Sequence, residues 1–374
     1  MKSLLARWTS GSRQRRLVAA MPYVILVVMV LVFYIAPASS GRETTSFNVY
    51  DSFQTFADLG LIALALGITM IAGGFDLSVI GMYGLGAMVA VKLGTSSPML
   101  GVIAALATGA LAGAVQGTIV ARLRMNSMTV TLGGYLILLG ITGVLGHNKN
   151  VQYTDFGVAA SLNEPIATIF SPRSLITLGI FALVFFLMWL TRLGTDVRAV
   201  GGERRASRTA GVRVDAYVVG VFVVSGMIAG LGGALHGYSV ATAAPDPGLA
   251  PLIFAITAAL LGGIALAGGR GTAAGIAAGV LTLSLLQEFF AIQATPEYVS
   301  SIVTGGLLVV VAVIAAPDLL LYWKAWRPGG RLPGDQPPLK EPMAAGVVAA
   351  SSAAVSSNGD ASAAEPDPAR RDSG

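Results

Sequence analysis

The chain contains no cysteine, only two histidines and few charges: Asp, Glu, Lys and Arg make up 11% of its 374 residues, where a soluble domain carries about 25%. The missing cysteine excludes disulfides, thiolate nucleophiles and cysteine-held zinc or iron–sulfur centres. His147 and His236 lie far apart and form no metal-ligand spacing. No GxxxxGK[ST] phosphate loop occurs anywhere, so no Walker-type nucleotide site is expected. No nucleophile stands in a pattern with a base, so the chain reads as a non-enzyme with no catalytic and no metal-binding residues.

Hydrophobic residues supply 54% of the chain, and the mean hydropathy is +0.74. Apolar runs of about 20 residues recur, the length a helix needs to cross a bilayer. Ten such runs fall near residues 17–37, 55–73, 77–94, 98–121, 127–146, 174–191, 215–238, 251–268, 272–292 and 297–316. They predict an all-α polytopic integral membrane protein with about ten transmembrane helices. The first run follows Arg13, Arg15 and Arg16 and ends in APA at 36–38. That is the outline of a signal peptide, but it exceeds the usual 7–15-residue apolar region, and a retained helix is expected.

The net charge of +5 does not point to nucleic acid, because the basic residues sit between the apolar runs. With the N-terminus in the cytoplasm, 20 of the 24 Lys and Arg fall on the cytoplasmic side, the bias that orients multi-pass chains. Both termini are then cytoplasmic. Three regions follow: an N-terminal tail at 1–16, a transmembrane domain at 17–316, and a tail at 317–374. The last is rich in Ala, Ser, Pro and Asp and reads as disordered.

Glycine is abundant, with 47 residues, many inside the apolar runs. Small residues let membrane helices approach closely, and they also permit the broken helices that transporters use. The runs MIAGGFDLS and ALAGGRGT look alike, a hint of internal repetition. In IAGGFDLSVIG (71–81), Gly73 and Gly74 are placed to end one helix, since glycine readily adopts the left-handed C′ conformation. Asp76 or Ser78 can then cap the first turn of the next. Solute contact or proton coupling by Asp76 remain open alternatives.

The second informative stretch is the loop 192–214, LGTDVRAVGGERRASRTAGVR within it. Residues 203–210 can form about two helical turns along the membrane face. A basic loop attracted to anionic lipid is the plain alternative.

Together these stretches resemble the permease subunits of ATP-binding-cassette importers, in the ribose and simple-sugar branch. The GG-hydrophobic-DLSVG signature is matched by Gly73, Gly74, Phe75, Asp76, Leu77, Ser78 and Val79. An NG…IA…VTLG segment is matched by QGTIVARLRMNSMTVTLG (116–133), and the G…AxGGNxxAAxxxGI loop by residues 194–212. The runs IAGLGG (228–233) and LGGIALAGGRG (261–271) follow in the family's order. Coverage extends from about residue 50 to 316.

The resemblance implies a multi-pass protein of the bacterial plasma (inner) membrane that translocates a monosaccharide or similar small polar solute inward. Implied partners are a cytoplasmic ATPase, which would bind the ATP and magnesium, an extracytoplasmic solute-binding protein, and a second permease copy, identical or not. The coupling loop to the ATPase would comprise Gly194, Ala199, Gly201, Gly202, Glu203, Arg204, Arg205, Ala206 and Gly211.

Several positions depart from the pattern. Ile80 replaces a glycine, Gln116 and Glu203 replace asparagines, Gln287 and Glu288 stand where Asn or Asp is usual, and residues 250–263 carry no carboxylate. These changes thin out the polar groups that could meet sugar hydroxyls. Gln116, Thr129, Thr131 and Gln287 are the candidates to line a solute path, with interhelical hydrogen bonding as the alternative role. His236 is expected to pack. Other readings are a permease for branched-chain amino acids and an ion-coupled secondary transporter. The latter needs an intramembrane carboxylate, for which Asp76 and Glu288 are the sequence candidates.

Overall fold

Each apolar run folds as a helix, because a backbone surrounded by hydrocarbon must satisfy its N–H and C=O groups within its own segment. The computed structural model describes residues 2–39 and 41–315. It opens with α1 (Lys2–Ser39), α2 (Ser46–Ile71), α3 (Val79–Leu93), α4 (Pro98–Arg122) and α5 (Ser127–Gly146). A cap follows, with β1 (Val151–Gln152) and α6 (Phe156–Leu162), and then α7 (Pro172–Leu190). At the opposite end lie α8 (Arg192–Gly202) and α9 (Arg204–Thr209). The described chain is completed by α10 (Val214–Ser239), β2 (Thr242–Ala243), α11 (Ala250–Leu261), α12 (Ala273–Ile292) and α13 (Glu297–Ala315). β1 pairs antiparallel with β2, Val151 opposite Ala243. We call the α8–α9 end inner, from the distribution of basic residues.

A helix corresponds to every predicted run, but among the described residues seven are long and apolar enough to cross a membrane. The count of about ten spans is therefore corrected. The other three fall below that length in the residues searched: Val79–Leu93, Ala250–Leu261 and Glu297–Val313, the last continuing as helix to Ala315. Two of them border glycine turns. The run predicted to continue to residue 268 stops at Leu261, because Gly263 takes φ +81, a conformation that ends a helix cheaply only with glycine. Residues 262–272 therefore form a loop, and ALAGGRGT lies inside it rather than at a helix end. α1 extends back to Lys2 through the segment expected as a tail. The tail predicted at 317–374 lies outside the described residues.

The turn after α2 and the turn after α11 share one hydrogen-bond pattern. Gly73 N–H donates to Met70 O and Gly74 N–H to Thr69 O. Likewise Gly263 N–H donates to Leu260 O and Ile264 N–H to Ala259 O. The ends of α5, α9 and α12 close in the same way, so the pattern is a common helix stop, and AGG at 72–74 corresponds to GGI at 262–264 and not to Gly268 and Gly269.

The centre of the bundle is α2, α3 and α10. α2 is buried on nearly every face from Gly60 onward, as expected of a helix hydrophobic all round. α4 crosses α10 with the backbones touching: a β-carbon at Gly109 would overlap Gly226 O, and one at Gly226 would overlap Gly109 O. Outward faces of α4, α5 and α7 present Leu111, Ile137, Val144, Leu183 and Trp189, suited to lipid or a second apolar chain.

Candidate functional site

Three glycine stretches far apart in sequence converge at the inner end. Gly73, at φ +73, sits against the backbone of Gly201, and a β-carbon there would stand 3.0 Å from Gly201 O. Gly201, at the end of α8, is buried. Its own β-carbon would overlap Ile71 O and stand 2.8 Å from Gly269 N. Gly269 N–H in turn donates to Ile71 O at 2.9 Å. A side chain at Gly268 would meet both Gly201 O and the Gly73 Cα at 2.7 Å. The end of α8 is thus wedged between the α2 turn and the 262–272 loop with no side chain intervening. Arg204 adds a long bond, its Nη2 donating to Gly73 O at 3.4 Å.

Gly202 differs from its neighbour. It is exposed, and a β-carbon there would meet nothing within 4 Å. Glu203 ends α8 and caps α9, its carboxylate accepting from Arg205 N–H at 3.2 Å. Gly211, at φ +84, closes α9, while Val212 N–H donates to Ser207 O. Arg208 pairs with Asp215 at 2.5 Å. Ala199, Glu203, Arg205, Ala206 and Gly211 remain exposed, whereas Gly194 is buried against Met188. The predicted loop is thus two short helices, which hold an inward backbone wedge and an outward polar face.

In the signature turn, Asp76 is fully buried. Its Oδ1 accepts from Ser78 N–H at 2.9 Å and from the Ser78 hydroxyl at 2.5 Å. Ser78 is the N-cap of α3 but makes no side-chain cap bond. Asp76 therefore holds the residue before the helix, not the first-turn amides that the sequence pattern favours. α5 braces the same turn: Phe75 N–H donates to Ser127 Oγ and Leu77 N–H to Thr131 Oγ1. Leu77 is half-buried. The Thr131 hydroxyl, which also donates to Ser127 O, is thereby placed in the brace rather than beside a cavity. Gln116 and Thr129 line an apolar groove of about 650 Å³ on α3, α4 and α5, where Gln116 packs against Gly134.

Of the four path candidates only Gln287 faces a polar cavity. This space, about 450 Å³, lies at the outer half between α2, α3, α10, α11 and α12 and is roofed by residues 242–247. Asp58, Thr55, Tyr83, His236 and Asp246 share its lining. Asp58 Oδ1 takes an ion pair from Arg173 and lies 2.9 Å from His236 Nδ1. Arg173, 4% exposed, also donates to Gln54 Oε1 at 2.6 Å and to Ser239 Oγ at 2.6 Å. The Tyr83 and His236 rings lie 5.6 Å apart. His236 is therefore part of a polar network rather than simple packing. Glu288 is turned to Asn48, accepting from its Nδ2 at 2.8 Å.

Asp58, Arg173, Gln54 and Tyr83 are missed by the sequence reading. The signal was present in Asp58, a carboxylate inside an apolar run. Starting that run at residue 55 placed Asp58 near its end, whereas α2 begins at Ser46. Asp58 thus lies about 18 Å along the axis at 1.5 Å per residue. Arg173 stands at the start of α7 and reads as a topology signal.

Residues 48–312 match a family model described as the permease component of branched-chain amino acid transport systems. The chain is 30% identical over 307 residues to the fructose import permease of Rhizobium meliloti, covering 79% of this chain and 84% of that one. It is 29% identical over 304 residues to the ribose import permease of Escherichia coli K12, covering 77% and 92% respectively. With the D-allose transport system permease of the same organism the identity is 27% over 306 residues, covering 80% and 91%. No solved structure matches the chain.

Proposed function

Because this chain belongs to the family of transport-system permease components, we propose that it is the membrane subunit of an ATP-binding-cassette importer that moves a monosaccharide inward. It resides as a multi-pass protein in the bacterial plasma membrane. ATP and magnesium are bound by a separate ATPase, an extracytoplasmic binding protein delivers the solute, and a second permease copy completes the gate. The observation that carries the reading is the wedge at Gly201. The outward face of α9 offers Glu203, Arg205 and Ala206 to a protein partner. Any shift of α8 is passed through Gly201 to Ile71 and Gly269, because touching backbones leave no compressible side chain between them. A push from the ATPase then reaches the two broken elements together.

The test is co-purification with the cognate cytoplasmic ATPase. Charge reversal of Arg205 with Ala206→Asp should strip the ATPase while the membrane protein still accumulates; retained ATPase would overturn the coupling assignment. A branched-chain amino acid importer is the second reading, favoured by the family description. An ion-coupled carrier is tested in vesicles holding this chain alone, where accumulation driven by an ion gradient would remove the ATPase from the mechanism.

A further inference from the structure

The outer cavity has no part in the coupling to the ATPase, and its chemistry is unlike the rest of the bundle. A buried charge network is expensive in a membrane and marks function by default. A structural tie between α2 and α7 alone could be made with apolar residues of similar size at no loss of stability. We propose that this cavity is a transit site for one neutral polyhydroxylated molecule, with Asp58, Gln287 and Tyr83 as the groups that bind its hydroxyls.

The division of labour within the network supports this. Arg173 and the ring of His236 both engage Asp58 Oδ1, which leaves Oδ2 without a protein partner among the described residues. The Tyr83 hydroxyl and the Gln287 amide line the same space and likewise have no protein partner among the described residues. Asp246 commits Oδ1 to Gly248 N–H at 2.8 Å, and its second oxygen is uncommitted. The cavity therefore offers carboxylate acceptors, an amide that both donates and accepts, and a phenol. Sugar hydroxyls, donors and acceptors in one group, are matched by that mixture. Arg173 and His236 act as positioning residues that fix the carboxylate.

The same inventory disfavours an amino acid. A zwitterion needs a cation, or backbone N–H groups at a helix start, for its carboxylate; α11 meets the cavity at Pro251, which has no N–H to give. No Lys or Arg is among the residues lining the cavity, and Arg173 is buried and already shared by Asp58, Gln54 and Ser239. The volume of about 450 Å³ falls within the range of about 300–1,000 Å³ for small-molecule sites.

This inference rests on the importer reading, so its test is chosen to fail separately. The native chain has no cysteine, which makes a single introduced thiol a clean reporter. Thr55→Cys or Val240→Cys, in the assembled permease–ATPase complex in vesicles, is labelled from outside with a membrane-impermeant thiol reagent. Ribose, fructose, allose or leucine is added as protectant. At a protectant concentration of about twice Kd the labelling rate falls about threefold. Protection by at least one of the sugars, none by leucine, and loss of protection in Gln287→Leu and Tyr83→Phe with the sugar-free labelling rate unchanged are the expected results. Equal protection by leucine, or no protection by any sugar in a complex that still imports one of them, overturns the transit site and leaves the importer assignment standing.

Discussion

The two ends of the bundle solve different problems with different materials. At the inner end, Gly73, Gly201 and Gly269 bring three chain segments into backbone contact, and Asp76 serves the local turn. The contact is specified by shape alone. At the outer end Asp58, Arg173, His236 and Gln54 hold side chains at fixed separations around an open space. That contact is specified by charge and hydrogen bonding. An element that transmits displacement requires stiffness, and an element that meets a passing polar molecule requires groups with spare bonding capacity. Under the proposed function, the distribution of residues follows that division.

The comparison can be broken or sharpened by substitution. The largest effect is expected for Gly201→Val, whose side chain would overlap Ile71 O; a loss of about 3 kcal/mol or more should abolish accumulation in the membrane, measured by fluorescence-detected chromatography. Next, Asp58→Ala strands a buried arginine, at a cost of about 3–5 kcal/mol. The double variant Asp58→Leu with Arg173→Met should regain thermal stability and still fail in uptake. If it imports normally, the outer network is structural. Gly73→Ala forces a β-carbon into a left-handed conformation and should cost about 1–2 kcal/mol, read as a lowered unfolding midpoint. Asp76→Asn retains an oxygen for the two Ser78 donors and should lose about 1 kcal/mol with transport preserved; loss of transport at normal expression would give Asp76 a role beyond the turn. The smallest effect is expected at Gly202→Ala, within about 0.5 kcal/mol in stability. A large effect there on ATPase association alone would sharpen the contrast between two adjacent glycines.

The inner end was far more legible in sequence than the outer. Left-handed backbone after Ile71 demands glycine, and Gly73 with the aspartate that follows announces its turn. The end of α11 was hidden, because Gly262 and Gly263 sit in an unbroken apolar run where glycine also serves as helix packing. Sequence shows which residue types are present but not that Gly201 lies between two distant turns. The outer network was obscured for another reason: Asp58, Arg173 and His236 stand on three different helices. Each has an ordinary explanation in isolation, and only their convergence gives the group a chemistry.

The wedge at the inner end has a consequence for inheritance. Every amino acid one base change away from glycine carries a β-carbon, so codon 201 has no tolerated missense neighbour, while a β-carbon at position 202 meets no neighbouring atom. Lineages that retune this transporter toward a new ATPase must do so by changing the outward residues beside the wedge, never the wedge itself.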